Sequence, residues 1–181
     1  MDNPTSVVAY IAASLDGYIA PADASVDWLE PFGAVDYGFD TFFSDIETLI
    51  MGRGTYDQCR GFDSWPYPDR RTAVLTNRGA DPNAPGGVTF HAGDPSALLE
   101  TLAPAMSGKS WVVGGGVVLG AFLAANLVDQ LDLFVIPVML GAGIPLFPEG
   151  TVSGAPRLLT SETFENGVVW LSYGLDGAAP R

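Results

Sequence analysis

Short apolar runs alternate along the chain with stretches of helical periodicity. The run VVAYIAA (7–13) is apolar throughout, which predicts a strand that is covered on both faces. Further strands are predicted at TLIMG (48–52), RTAVLTN (71–77), VTFH (88–91), SWVVG (110–114) and LDLFVIPVML (131–140).

Helical signals lie between these runs. Val35, Phe39 and Ile46 follow the spacing of one helical face. Asp94 and Pro95 supply a side-chain cap and a proline in a first helical turn. The predicted helices are 35–46, a short one that opens at 53–59, one from Asp94 to about Met106, and 117–127.

Two segments lack this alternation. In 14–28, Asp-Gly, Pro and Asp break any period, which predicts a long loop. Near the C-terminus, RLLTSETF (157–164) and VVWLSYGL (168–175) flank an Asn-Gly pair, a strong signal for a hairpin. The whole pattern predicts an α/β sandwich with a mostly parallel sheet and an antiparallel edge. We expect one domain over 1–176 and a disordered tail at 177–181.

Composition narrows the possible partners and the location. The 181 residues are 48% hydrophobic, and no apolar run is long enough to cross a bilayer. Net charge is −13, from 21 acidic and 8 basic residues, so nucleic acid and anionic membranes are not expected to bind. Cys59 has no partner for an internal disulfide, and no Cys/His cluster has metal-ligand spacing. We expect a cytoplasmic protein without a metal.

Three consecutive glycines, Gly114, Gly115 and Gly116, lie between the fifth strand and the following helix. A strand, bare glycines and a helix start can form an anion site made of backbone N–H groups. The dinucleotide pattern G-x-G-x-x-G fails, because Leu119 occupies the place of its third glycine. Close packing of the helix on the sheet explains the glycines equally well, and both interpretations stay open at this point.

Two further strands end in groups that suit a phosphate. Arg53 and Thr55 follow the second strand where a helix begins, and LTNR (75–78) closes the third strand with polar side chains and a cation. Each could be an ordinary surface feature. Because open α/β sheets bind ligands at the carboxyl ends of their strands, the coincidence of three such ends favours a site.

The N-terminal third supplies carboxylates and aromatic residues. Candidates are Asp16, the pair Asp27-Trp28, Asp36 and Asp40. A carboxylate in a partly apolar pocket could orient a substrate or relay a proton. Helix caps and solvated acids are the alternative for most of them.

The motifs occur together in a known order. AYIAASLDGYIA, Asp27-Trp28, TLIMGRGTYD, RTAVLTNR, WVVGGG and LDLFVIPVMLGAGIPLF resemble the dihydrofolate reductase superfamily from about residue 7 to 175. The segment LGAGIPLF favours the branch that is similar to the C-terminal reductase domain of RibD in bacterial riboflavin biosynthesis. The resemblance implies a three-layer sandwich around an eight-stranded mostly parallel sheet, NADPH as hydride donor, and a homodimer.

The resemblance also implies positions for the cofactor. The backbone at Ala12 and Ala13 would face the nicotinamide. Phosphate would be held by Gly52, Arg53, Gly54 and Thr55. The adenosine 2′-phosphate would lie near Thr76, Asn77 and Arg78. The pyrophosphate would rest on Gly114, Gly115, Gly116, Val117 and Val118.

On the substrate side, Asp36 lies 15 residues before Met51, a spacing similar to that of the pterin-binding carboxylate in dihydrofolate reductases. It is the expected catalytic acid, with Asp40 as its rival, and Asp16, Trp28 and Asp36 are expected near the substrate. The region lacks the basic residue that would hold a glutamate tail, and few cations remain for a phosphorylated ribosyl-pyrimidine. The hypotheses are a reductase acting on a C=N or C=O bond of a small substrate, an NADP(H)-binding protein without turnover, and a structural α/β dimer module.

Overall fold

The apolar runs of the sequence form the strands of one central sheet. The computed structural model describes residues 6–149 and 155–175. In these residues the strands are β1 (Val7–Ser14), β2 (Tyr18–Ala20), β3 (Ile46–Gly52), β4 (Arg71–Leu75), β5 (Val88–His91), β6 (Lys109–Gly114), β7 (Gln130–Ile136), β8 (Ile144–Pro145), β9 (Arg157–Thr163) and β10 (Val169–Gly174). The helices are α1 (Phe39–Ser44), α2 (Arg53–Arg60), α3 (Pro95–Leu102) and α4 (Gly116–Ala124), with 3₁₀ turns at Asp27–Phe32 and Ala103–Ala105.

Eight strands pair in the order β5-β4-β3-β6-β1-β7-β10-β9. The pairs from β5 to β7 are parallel, and β10 and β9 add antiparallel to that edge. The mostly parallel eight-stranded sheet with an antiparallel C-terminal hairpin is therefore confirmed. β2 and β8 form a separate two-stranded pair.

Helices cover both faces of the sheet. On one face, α3 and α4 contribute Leu98, Leu119 and Phe122 to a core that includes Val7 and Ala9 of β1. The opposite face packs against the other helices through two clusters. These clusters include Tyr56 of α2, Phe42 and Phe43 of α1, and Trp28, Leu29 and Phe32 of the first 3₁₀ turn. The result is the expected three-layer sandwich.

The structure corrects two expectations for the N-terminal third. The segment 14–28 is not a continuous loop, because β2 pairs with β8 and a 3₁₀ turn begins at Asp27. The helix expected over 35–46 is confined to Phe39–Ser44, because Gly38 precedes it with a φ of 76°, a left-handed conformation outside the helix.

Proline sets two further boundaries. β7 ends at Ile136, and not at 140, because Pro137 follows and has no N–H for the sheet ladder. The helix that starts at the Asp94 cap ends at Leu102 and continues as a 3₁₀ turn around Pro104. The hairpin turn is as expected, with Gly167 at a φ of 84°. The tail at 177–181 lies outside the described residues.

The packing of α4 gives a test of the core. Phe122→Ala should lower the free energy of unfolding by about 3–5 kcal/mol, because Phe122 is fully buried and its removal leaves a cavity. Val117→Ala on the same helix is the control, since Val117 is 84% exposed. Urea denaturation measures both, and a Phe122→Ala loss no larger than that of the control would contradict the burial.

Candidate functional site

Two adjacent cavities open at the carboxyl ends of the parallel strands. The larger has a volume of about 600 Å³ and the smaller about 530 Å³. Both are lined by Gly54 and Thr55 at the start of α2, by Gly115 and Gly116 at the start of α4, and by Ile144 of β8. The shared lining makes them two ends of one groove.

Strand register brings the two helix starts together. β3 pairs with β6, and Met51 lies beside Gly114. Each strand is followed at once by a helix, so α2 and α4 both begin at the groove. A Cβ added to Gly115 would lie 4.0 Å from the Cα of Gly52 and 3.2 Å from Oγ1 of Thr55.

The starts of α2 and α4 carry no side-chain cap. By contrast, α3 is capped by Asp94, whose Oδ1 accepts a hydrogen bond from the N–H of Ala97 at 2.9 Å. The first N–H groups of a helix have no partner inside it and favour a negative charge. No side chain caps the starts of α2 and α4, so N–H groups of their first turns could bind a negatively charged ligand in the groove.

The glycines serve both of the roles that the sequence left open. A Cβ at Gly116 would lie 2.8 Å from Cγ2 of Ile144, and one at Gly52 would lie 2.9 Å from Cγ2 of Val118, so these two glycines permit close packing. A Cβ at Gly54 or Gly114 would meet no atom within 4 Å, and Gly114 has a φ of 144°. At these two positions the backbone borders open space in the groove.

Two arginines line the smaller cavity, and both contact one carboxylate. Nε of Arg53 lies 2.7 Å from Oδ1 of Asp57, and Nη1 of Arg78 lies 3.5 Å from Oδ2. Arg53 also donates to the carbonyl of Gly79 at 3.0 Å. The hydrogen bond to Asp57 raises the pKa of Arg53. Two cations and the Asp57 carboxylate that pairs with them therefore lie beside the uncapped starts of α2 and α4.

The other residues expected at the cofactor lie as follows. Thr76 and Asn77 line the smaller cavity, and Oγ1 of Thr76 accepts a hydrogen bond from the N–H of Arg78 at 3.0 Å. Val117 and Val118 line the same end. Ala12 lines the larger cavity, whereas the side chain of Ala13 is buried in the core, so that Ala13 could serve through its backbone alone.

The larger cavity is mostly apolar, with a few polar side chains. Its lining includes Thr55 and four polar residues for which the sequence predicted no site role, Tyr10, Asp23, Ser25 and Gln58. Oδ1 of Asp23 accepts a hydrogen bond from the N–H of Ser25 at 3.0 Å, which lowers the pKa of Asp23. The Asp-x-Ser spacing of that turn was the available local signal, but it could not indicate a cavity.

The turn over this cavity is held by α2. Nε2 of Gln58 donates to the carbonyl of Ala24 at 3.3 Å, and Ala24 has a φ of 62°. Such a conformation is uncommon for a residue other than glycine and is found where surrounding contacts enforce it.

The expected substrate-side carboxylates lie outside the lining. Asp16 accepts hydrogen bonds from Oγ of Ser14 at 2.6 Å and from the N–H groups of Leu140 and Gly141, at 3.1 and 2.7 Å. These bonds, the one from Ser14 foremost, lower the pKa of Asp16. Asp16 therefore links the turn after β1 to the loop after β7.

Asp36 and Asp40 are exposed near the start of α1. Oδ1 of Asp36 accepts a hydrogen bond from the N–H of Gly38 at 2.8 Å. Burial, followed by the charges of Asp132 and Asp36, raises the pKa of Tyr10, which does line the larger cavity. Asp36 therefore adds negative charge near Tyr10 but does not line the cavity.

Trp28 packs in the cluster around Phe134 and Val168. Its Nε1 is buried and has no hydrogen-bond partner among the described residues. Trp28 lies next to Leu29, which lines the larger cavity, but is not itself part of the lining.

The family model of the RibD C-terminal domain matches residues 5–170. The chain belongs to the RibD C-terminal domain family. It is 36% identical over 163 residues to YwjB of Bacillus subtilis (strain 168), an uncharacterized protein, with 89% of this chain and 93% of YwjB covered. Two solved structures of other proteins have a similar fold.

A protein of Shewanella sp. PV-4, described provisionally as a riboflavin biosynthesis protein, has 30% identity and a TM-score of 0.83, with 94% of this chain and 98% of that chain covered. Dihydrofolate reductase of Enterococcus faecalis, complexed with NADP(H), has 23% identity and a TM-score of 0.63, with 93% and 95% covered. The likeness to dihydrofolate reductase shows that this chain has the same fold.

Over 6–149 and 155–175, no helix combines the length and apolar character needed to cross a membrane. The same residues contain no group of three or more His, Cys, Asp or Glu side chains suited to a metal ion.

The bonds of Asp16 predict a pH-dependent contribution to stability. Because its pKa is lowered by folding, Asp16 stabilises the protein above the unfolded value of about 3.9. That contribution is lost as the pH falls through the folded value. Asp16→Asn should therefore unfold at a lower temperature than the wild type at pH 7, and the difference should disappear at strongly acidic pH. A constant difference across this range, measured by thermal denaturation, would contradict the assignment.

Proposed function

We propose that this protein is an NADPH-dependent reductase that transfers hydride to a C=N or C=O bond of a small substrate. One observation carries the proposal: two uncapped helix starts and two arginines converge on one end of a groove whose other end is mostly apolar. Anionic groups suit the first end, and a ring system suits the second.

A dinucleotide fits the residues that are present. Gly54 and Gly114 border open space, so a diphosphate can approach the backbone N–H groups without meeting a side chain. The phosphate of an adenosine ribose would be paired by Arg53 and Arg78. Nicotinamide would lie against Ala12 at the larger cavity. The NADP(H) bound by the Enterococcus faecalis reductase supports this choice.

When bound, such a cofactor supplies the hydride, and the protein supplies orientation and a dry site. Ile11, Val113 and Ile144 would exclude water from the reacting atoms. Hydride addition leaves negative charge on nitrogen or oxygen, which must receive a proton. Asp36, with Asp40 as its rival, is proposed to relay this proton from solvent through water, since both carboxylates are exposed and neither lines the cavity.

Binding without turnover is the second candidate. The specific observation in its favour is the position of Asp36 and Asp40 outside the lining. Thermal shifts distinguish binding from a structural role, because a bound NADPH should stabilise the folded protein by an amount that rises with its concentration and affinity. Oxidation of NADPH with pterins and diketones distinguishes turnover from binding alone.

A homodimer through the C-terminal strands is also proposed. Every residue of β9 is exposed, including Leu158 and Leu159 at 51% and 43%. An exposed edge strand with apolar side chains is a pairing surface. The small-molecule substrate and the cytoplasmic location remain predictions.

Arg78→Ala should weaken NADPH binding by about ten- to a hundredfold and NADH binding by less than about twofold. The reason is that Arg78 would pair the 2′-phosphate, which NADH lacks. Calorimetric titration measures both, and Arg60→Ala is the control, because Arg60 pairs with Asp81 and lines neither cavity.

Asp57→Asn should strengthen NADPH binding, because it removes the carboxylate that competes with the cofactor phosphate for Arg53 and Arg78. Equal losses of both nucleotides in Arg78→Ala would contradict the assignment of the 2′-phosphate.

Asp36→Asn should lower kcat by about a hundredfold or more if it supplies the proton, with little change in NADPH affinity. The comparison variants are Asp40→Asn, the rival, and Asp63→Asn, an exposed aspartate outside both cavities. Unchanged turnover in Asp36→Asn would remove it from the mechanism.

Light scattering should give twice the chain mass at micromolar concentration. Leu158→Asp should yield the monomer, because a charge would be buried at the proposed interface. A wild-type monomer would contradict the dimer.

A further inference from the structure

The described cations are unevenly distributed around the groove. Arg53 and Arg78 line the smaller cavity, and Arg60 at the end of α2 pairs with Asp81. The other described cations lie at the opposite ends of the strands, where the parallel strands begin. They are Arg70 and Arg71 before and at the start of β4, Lys109 at the start of β6, and Arg157, which is opposite Gly174 next to the start of β7.

The larger cavity, in contrast to the smaller one, has no cationic residue in its described lining. Among its described lining residues, Asp23 is the charged one, and no lysine, arginine or histidine is present. Residues 1–52, which supply most of this lining, contain no lysine, arginine or histidine at all. Asp27, Glu30, Asp36 and Asp40 add negative charge in the same part of the chain.

A carboxylate in that position opposes an anionic substrate. Hydrogen bonds from Ser25, its backbone N–H to Oδ1 foremost, lower the pKa of Asp23, so the group is charged at neutral pH. Like charges brought together at a binding site disfavour the wrong partner. The remaining lining is mostly apolar, with Ile19, Val26 and Leu29 among its members, and its other polar side chains are uncharged.

We propose that the larger cavity accepts a neutral or cationic heterocycle or carbonyl compound and excludes substrates that carry a phosphate or carboxylate. The proposal rests on the proposed function in that it assigns the cofactor to the smaller cavity. Asp23 provides the selection against anions, and its carboxylate can accept a hydrogen bond from an N–H or a protonated nitrogen of the substrate.

Matched probe pairs test the charge preference directly. Dihydroneopterin and its monophosphate, and uridine and its 5′-monophosphate, differ within each pair by one phosphate. Calorimetric titration into the full chain, first with saturating NADPH and then without cofactor, gives four dissociation constants in each state. The neutral member should bind at least about tenfold more tightly in at least one pair.

A charge reversal locates the source of this preference. Asp23→Lys should abolish or invert the ratio within each pair that binds, because it replaces the opposing charge by an attractive one. Asp63→Lys makes the same charge change at an aspartate that is exposed like Asp23 but lines neither cavity. It should alter the ratio by less than about twofold, because solvent screens a charge that does not border the ligand.

Each outcome is decisive. Equal or tighter binding of the phosphorylated members would overturn the proposal, and so would failure of all four probes at millimolar concentration. An unchanged ratio in Asp23→Lys would remove Asp23 as the cause. NADPH binding is measured separately, so its absence overturns the proposed function, while the titrations without cofactor still decide the charge preference.

Discussion

The site depends on the uncapped backbone N–H groups at the starts of α2 and α4. They lie side by side because β3 pairs with β6 and Met51 lies beside Gly114. A chain with net charge −13 has few side chains to hold an anion, so backbone dipoles must do much of that work. Arg53 and Arg78 add charge at the same place.

The glycines have more than one physical role. Gly52 allows the end of β3 to pack against Val118 of α4, and Gly116 allows the start of α4 to pack against Ile144 of β8, at distances that a Cβ would not tolerate. Gly54 and Gly114, by contrast, border open space. Packing and ligand access are therefore not alternatives in this fold. The close approach of the two helix starts creates the groove, and bare backbone keeps it open.

Much of the fold was predictable from the chain, because strands buried on both faces need continuous apolar runs and hairpins need specific turn residues. Helix α1 was less predictable, since the apolar spacing from Val35 to Ile46 extends beyond the point at which Gly38 leaves the helical conformation. The small pairing of β2 with β8 joins segments more than 120 residues apart, and their local sequence carries no sign of it.

The sequence by itself determined where strands end in glycine, arginine and hydroxyl groups, because these signals are local and follow a regular pattern. Only the tertiary structure decided which side chains border the groove. It placed Asp23 and Gln58 at the larger cavity and left Asp16, Asp36 and Asp40 outside its lining. A carboxylate in a loop has the same local sequence whether it caps a turn or faces a cavity, and the distinction comes from the elements that pack around it.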